Sequence, residues 1–317
     1  MTIAGETHGA ARLPAARRAG LLSGRLRRRG GPRRAPWLLV VPAVVVVVAF
    51  HFVAQGEGAW YAFTDWQGIG TAHYVGLSNF RHIWDSDVQR GALWNSLKLA
   101  AGFVVLVNGL GLALALGLNR TVKSRHLLRS LFFLPVVLSS LASAYIWQYI
   151  FDYRGALNLL LGALHLHSLE RPWLGDPHWA FWAILVAMVW QFTGLAMVIY
   201  LAGLQGIPEE LDEAASIDGA RNWFRFRRVT LPLLAPAITT STTLTLIFGL
   251  RAFDQILALT GGGPDYATET LATQVYTQTF ANGLFGYGSA LALVLSAIVL
   301  ALAVAQIGAL RLREARL

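Results

Sequence analysis

PEELDEAASIDGARNWFRFRRVTLP, residues 208–232, is a charged island in a greasy chain. Five of the 17 acidic residues, Glu209, Glu210, Asp212, Glu213 and Asp218, fall within ten positions, and Arg221, Arg225, Arg227 and Arg228 follow. Pro208 suits the first turn of a helix, where its missing N–H costs nothing. The acids after it sit at the positive end of the helix dipole. Ala214 and Ala215 keep one surface low, and Gly219 is a natural break. A second helical piece carries Trp223, Phe224 and Phe226 among the arginines, and Leu231-Pro232 opens the next apolar run. The local expectation is helix, glycine turn, helix. Two uses fit it: a connector resting on lipid headgroups, or a knob that plugs into another protein. The acidic half suits the second better, because the inner leaflet is itself negative.

Working outward, the chain of 317 residues is 55% hydrophobic and only 14% charged, against about a quarter charged in soluble domains. That balance defines a membrane protein. Six runs are long enough to cross a bilayer: Trp37–Ala54, Leu93–Leu118, Leu127–Phe151, His178–Leu204, Leu231–Leu250 and Tyr287–Leu310. Helix is the spanning form that satisfies the backbone internally. The first run is too long for a signal-peptide core and no small-x-small cleavage site follows, so it reads as an uncleaved anchor. The chain has no cysteine, which excludes disulfides and thiol chemistry.

Lys and Arg counts set the direction. With the N-terminus inside, segments 1–36, 119–130, 205–230 and 311–317 hold twenty basic residues, and segments 55–92, 151–177 and 252–286 hold four. That asymmetry accounts for the net charge of +9 without nucleic acid. The expected architecture is an all-α membrane protein with six transmembrane helices and a cytoplasmic helix-turn-helix loop between the fourth and fifth. Residues 1–36 form a basic cytoplasmic tail, 37–54 a first anchor, 92–310 the core, with the charged loop at 208–232, and 311–317 a cytoplasmic C-terminal tail.

The residues EAASIDGARNWFRFRRVTLP resemble the EAA loop of binding-protein-dependent ABC importer permeases: EAA, three residues, Gly, nine residues, an Ile-like residue, one residue, Leu-Pro. Here these are Glu213-Ala214-Ala215, Gly219, Val229 and Leu231-Pro232, with valine for isoleucine the one departure. LAGLQGIPEEL at 201–211, LWNSL at 93–97, FFLPVVLSS at 132–140, GALNLLL at 155–161, WQFTGLAMVIYLAGL at 190–204 and FDQILALTGGGPDYATETLATQVY at 253–276 are similar to the sugar-type subgroup related to the maltose and glycerol-phosphate importers. The resemblance runs from Ala92 to Leu310. It implies a coupling helix that docks in a separate ATP-hydrolysing subunit, with Glu209, Glu213, Ala214, Ala215, Asp218 and Gly219 as the coupling residues. It implies two cytoplasmic ATPase subunits, a second permease in a heterodimer and an extracytoplasmic solute-binding protein. ATP and Mg then act on the ATPase subunits and no cofactor is bound by this chain. The location implied is the bacterial inner membrane, multi-pass, with both termini cytoplasmic, and the cargo a sugar, oligosaccharide or polyol.

Absent motifs narrow the chemistry. Lys98 and Lys123 are the only lysines and neither follows glycine, so no G-x-x-x-x-G-K-[ST] phosphate loop exists. TGGGP at 260–264 reads as a turn. His165 and His167, two apart in a loop, do not make a metal site, and the chain is read as a permease subunit rather than an enzyme. A self-sufficient carrier would need ionisable residues or paired broken helices deep in the spans, and an intramembrane enzyme a nucleophile–base set. Polar residues within spans should face the bundle interior or a wet path: Asn95, Lys98, Asn108, Gln148, Gln191, Thr193, Arg251, Asp254 and Gln306. Trp147, Gln148, Trp190, Gln191 and Asp254 are the substrate-path candidates, since aromatic faces and planar amides suit a sugar ring. The two Trp-Gln pairs fall near opposite ends of their spans. TTSTTLT at 239–245 reads as helix-packing glue. Arg251 and Asp254 read as sharing one helical face. Pro135, Gly194 and Gly249 interrupt spans.

Overall fold

The computed structural model describes residues 37–119, 123–208, 210–211 and 222–314. Two compact units divide at Val53/Ala54. The first holds α1 (Trp37–Val47), which continues into a π-helical turn, Val48–Val53. Its valines and Phe50 are exposed, as a helix meant for lipid requires.

In the second unit the described α-helices longer than one turn are α2 (Ala54–Tyr61), α3 (Ser78–Asp85), α4 (Asp87–Leu118), α5 (Arg125–Val137), α6 (Ser140–Phe151), α7 (Ala156–Ala163) and α8 (Pro177–Gln205), then α9 (Ala235–Leu250), α10 (Asp254–Leu259), α11 (Leu271–Tyr276) and α12 (Phe285–Glu314). Among the described residues no strand forms, and one isolated antiparallel bridge joins Thr64 to Tyr74. Four helices are long and apolar enough to cross a membrane, or six if two bent pairs each count as one span.

Two of the three longest helices, α4 and α8, start where their caps place them. Ser86 Oγ accepts from the Gln89 N–H at 3.4 Å ahead of α4. Asp176 Oδ1 accepts from the N–H groups of His178 and Trp179 at 2.8 and 3.2 Å, with Pro177 opening α8. Each cap satisfies N–H groups that the helix itself leaves open. The second predicted span therefore begins at Asp87, six residues before Leu93.

Helix α8 is the central post. It packs along α4 and against α5 and α9. Leu99, Phe103 and Val107 of α4 meet Ile184, Met188, Met197 and Tyr200 of α8 in one buried cluster. Lipid is as apolar as leucine, so close backbone approach and interhelical hydrogen bonds must supply the association. Both are present. A Cβ at Gly194 would sit 2.1 Å from the Phe132 carbonyl oxygen of α5. Asn108 Nδ2 donates to Thr245 Oγ1 at 2.9 Å, and the Tyr200 hydroxyl donates to Asn108 Oδ1 at 2.8 Å, so α4, α8 and α9 share one polar knot. Thr245, from the 239–245 run, is part of it.

The TGGGP segment is a turn, with Gly261 and Gly262 at φ 61° and 90°. Thr268 Oγ1 donates to the Gly263 carbonyl at 2.7 Å. Asn95 Nδ2 donates to the carbonyls of Ala267 and Glu269 at 3.1 and 3.0 Å, and Ser96 Oγ accepts from the Leu271 N–H at 2.9 Å. Asn95 and Ser96 thus spend their polar groups fastening this turn to α4.

Two predicted spans are not single straight helices. Leu127–Phe151 breaks at residues 138–139 with a bend of 100°. Pro135 lacks an N–H and its ring crowds the preceding turn. Leu138 is extended at φ −69° and ψ 143°, and Ser139 Oγ accepts from the Ala142 N–H at 3.2 Å to restart the helix as α6. Leu231–Leu250 breaks at Leu234, with a 70° bend between residues 223–233 and α9. Arg251 and Asp254 do not share a helical face either: α9 stops at Leu250 and α10 starts at Asp254. Both side chains are exposed and no ion pair joins them.

Candidate translocation groove and coupling segment

The break between α5 and α6 leaves the Leu138 carbonyl without a helical partner. Gln191 of α8 supplies one: its Nε2 donates to that oxygen at 2.9 Å. Gln191 Oε1 in turn accepts from Gln255 Nε2 of α10 at 2.7 Å. The two glutamines are 2% and 4% exposed, so this chain of amides is buried. It ties the break to α8 and α10. Replacing Gln191 by leucine orphans both the carbonyl and the Gln255 amide. The expected cost is about 1–2 kcal/mol, since interhelical hydrogen bonds in membranes are each worth roughly 0.6–1.7 kcal/mol. Thermal denaturation of the purified chain measures it; an unchanged midpoint would remove the clamp.

The bend also swings α6 back toward α8. The rings of Trp147 and Trp190 meet edge to face, centroids 5.6 Å apart, and Trp147 stacks on Phe151 at 5.0 Å. The tryptophans expected near opposite ends of their spans are therefore neighbours. Beside them runs an apolar groove of about 760 Å³, floored by leucines of α4 and by Phe132, Pro135 and Leu138, and closed by Trp147, Trp190 and Thr193. Trp147 Nε1 is buried there without a hydrogen-bond partner. Gln191 neighbours the groove but is spent on the clamp. Gln148 and Asp254 are exposed elsewhere and do not line it. Thr193 Oγ1 donates to the Val189 carbonyl at 2.6 Å within its own helix. Lys98 places its ammonium 5.4 Å from the Phe181 ring centroid.

The charged segment is described at its feet. Helix α8 ends where the Gly206 N–H reaches the Ala202 and Gly203 carbonyls, both at 3.2 Å. Ile207 on one side and Leu234 on the other pack into the same apolar cluster as Tyr200 and Leu204. A short helix, Asn222–Arg225, leads into a π-helical turn, Phe226–Thr230. Trp223 and Phe224 are 70% and 56% exposed, and the Arg228 guanidinium lies 5.7 Å from the Phe224 ring centroid. Glu209, Glu213, Ala214, Ala215, Asp218 and Gly219 lie outside the described residues.

An all-helical bundle with four to six apolar spans, small-residue helix contacts and a charged insert is the architecture of a multi-pass membrane permease. The chain belongs to the family of binding-protein-dependent transport system inner membrane components, whose pattern matches residues 107–312. It is 37% identical over 270 residues to the multiple sugar-binding transport system permease protein MsmF of Streptococcus mutans, covering 85% of this chain and 92% of that one. It is 34% identical over 284 residues to the trehalose/maltose transport system permease protein MalF of Thermococcus litoralis, covering 88% and 94%. Among solved structures, a chain of a bacterial ABC transporter involved in the import of the acidic polysaccharide alginate shares the fold: TM-score 0.76, 21% identity, covering 87% of this chain and 94% of that one.

Proposed function

We propose that this chain is one transmembrane subunit of an ATP-driven importer for a carbohydrate or polyol. The observation that carries the proposal is the near full-length identity to permeases named for sugar transport. In this reading the chain crosses six times, each bent helix pair counting as one crossing, and the basic-residue asymmetry assigns both termini to the cytoplasm. Residues 208–232 form the coupling element, and segments 55–92, 151–177 and 252–286 receive an extracytoplasmic solute-binding protein. Two ATPase subunits hold the ATP and Mg, because this chain has no phosphate loop. A second, non-identical permease completes the pathway. ATP-driven closure of the ATPases pushes the knob, and the pathway opens outward; hydrolysis resets it inward.

Ile207 and Leu234 support that linkage. Both feet of the charged segment are packed into the core, so displacement of the segment bears directly on α8 and α9. Trp190 is the residue assigned to substrate contact, with Trp147 behind it. The test is assembly: the chain should co-purify with a cytoplasmic ATPase and support sugar uptake only with ATP. Uptake by the chain alone in vesicles without ATP would overturn the reading. Within the assembled importer, Trp190→Ala should slow uptake about tenfold at sugar well below half-saturation, the equivalent of about 1.4 kcal/mol of lost ring contact. Unchanged uptake would take Trp190 off the path.

A further inference from the structure

A second cavity, of about 600 Å³, lies away from the apolar groove and is walled by α3, the start of α4, α11 and the turn into α12. Its chemistry is different. Six side-chain amides line it, and four of them are joined in a row. Gln89 Nε2 donates to Gln274 Oε1 at 2.7 Å, Gln278 Nε2 donates to the same oxygen at 3.1 Å, and Asn282 Nδ2 donates to Gln278 Oε1 at 3.0 Å. The spacing of Gln274, Gln278 and Asn282 puts all three on one helical face.

The row is not self-satisfied. A primary amide offers two donor hydrogens and a carbonyl oxygen with two lone pairs. Gln89 Oε1 is buried without a partner on a residue only 3% exposed, and the hydroxyl of Tyr287, another lining residue, is likewise buried and unpartnered. Among the described residues Gln274 Nε2 donates to nothing. The Gln274 amide therefore keeps hydrogens free for a ligand in the cavity it lines, and the two buried unpaired groups, each costing about 1–3 kcal/mol, belong to residues that line it too.

Charge and shape narrow the class. Among the described lining residues Asp65 is the one carboxylate, and Lys and Arg are absent. Asp65 Oδ1 already accepts from the His73 N–H at 2.9 Å, with His73 Nδ1 3.5 Å from Oδ2. An anionic ligand would find no Lys or Arg to meet its charge. Trp66 and Tyr287 supply aromatic wall. Trp66 is held by Tyr61 at 4.3 Å and Phe285 at 5.4 Å, and Tyr287 by His82 at 5.2 Å, so the wall is fixed before any ligand arrives. Neutral amides that give and accept together match vicinal hydroxyls, and aromatic surface matches the C–H face of the same ring. The volume lies in the usual small-ligand range of about 300–1,000 Å³.

We infer that this amide-lined cavity binds a neutral polyhydroxylated solute, a mono- or disaccharide or a polyol, independently of the apolar groove. That the solute is also the cargo, met here before it enters the bundle, rests on the importer reading and on the orientation set by the basic residues; binding itself does not.

The absence of cysteine makes the test direct. Ser78→Cys puts a single thiol on the rim of the cavity. The full-length variant in lipid nanodiscs is reacted with a maleimide in the presence of maltose, trehalose, xylose or sorbitol, with gluconate as a charged comparison. At about ten times its dissociation constant, a bound neutral probe should slow labelling about tenfold by mass action, and gluconate should not. Gln274→Leu, and separately the milder Gln278→Ala, should abolish the protection. A labelling rate unchanged by every neutral probe up to ~100 mM, far above a millimolar dissociation constant, overturns the inference. So does protection that survives both amide substitutions. Uptake by the assembled importer is scored separately: intact uptake without protection removes this site alone, and protection without uptake removes the importer reading alone.

Discussion

Gly219→Pro and Glu213→Ala are expected to leave the chain in the membrane and to abolish ATP-driven uptake. Insertion should survive because both positions lie outside the apolar runs, and orientation is set by twenty basic residues against four, which neither substitution touches. Docking should fail for two different reasons. Proline at 219 would remove the left-handed freedom that the glycine turn expected from the sequence uses. Alanine at 213 removes a carboxylate expected to accept a charge-assisted hydrogen bond from the ATPase. Truncating one partner of such an interfacial pair costs about 2–5 kcal/mol, or roughly 30- to several-thousand-fold in docking. Ile207 and Leu234 pack in the apolar cluster at the two ends of the segment, and under the proposed coupling they would transmit displacement only while the knob is gripped. The readouts are membrane-fraction abundance, ATPase association and uptake in the reconstituted importer. Normal uptake by both variants would remove the coupling role from these residues. Labelling of residues 209–219 from the exterior would reverse the proposed topology.

How much of this was legible follows from how local each feature is. The runs that became α4, α8 and α12 are apolar all round, and no other structure buries such a run in lipid, so existence and type were read correctly. The bends were not. Pro135 and the Leu138-Ser139 break were visible as residues, but proline is common in membrane helices that stay straight enough to cross. Only the capping Ser139 and the Gln191 clamp turn an interruption into a 100° bend. The meeting of Trp147 and Trp190 depends on that bend, so no one-dimensional pattern could have placed them together. The polar residues within spans failed more instructively. The rule that they face the interior held for Asn95, Asn108 and Gln191, yet the structure spends all three on neighbouring helices and turns. Interior position does not separate glue from pathway; counting the unspent donors and acceptors does. By that count the amide row was missed although its signal was present: Gln274, Gln278 and Asn282 recur every four residues.

Gly194→Val should have the largest structural effect of any single substitution proposed for this chain. The first carbon of the new side chain would lie 2.1 Å from the Phe132 carbonyl oxygen, 2.8 Å from its carbon and 2.8 Å from the Phe133 Cα. Those atoms are backbone, so no rotamer change relieves the clash and α5 must retreat by about 1 Å to reach even the ~3.3 Å of a close C–H···O contact. That retreat carries the Leu138 carbonyl away from Gln191 and opens the floor of the groove at Phe132 and Pro135. Overpacking costs about 1–3 kcal/mol or more, and the strained clamp adds up to roughly 1.7 kcal/mol. Gly109→Val is the matched comparison: it lies on α4, where a Cβ meets nothing within 4 Å, and should leave this chain's stability nearly unchanged. Thermal midpoints of the two purified variants, read beside the wild type, separate a specific α5–α8 contact from a general intolerance of larger residues in these helices. If Gly194→Val melts with the wild type, the close approach of α5 to α8 is not what holds the groove, and the two tryptophans must be kept together by the fold around α6 instead.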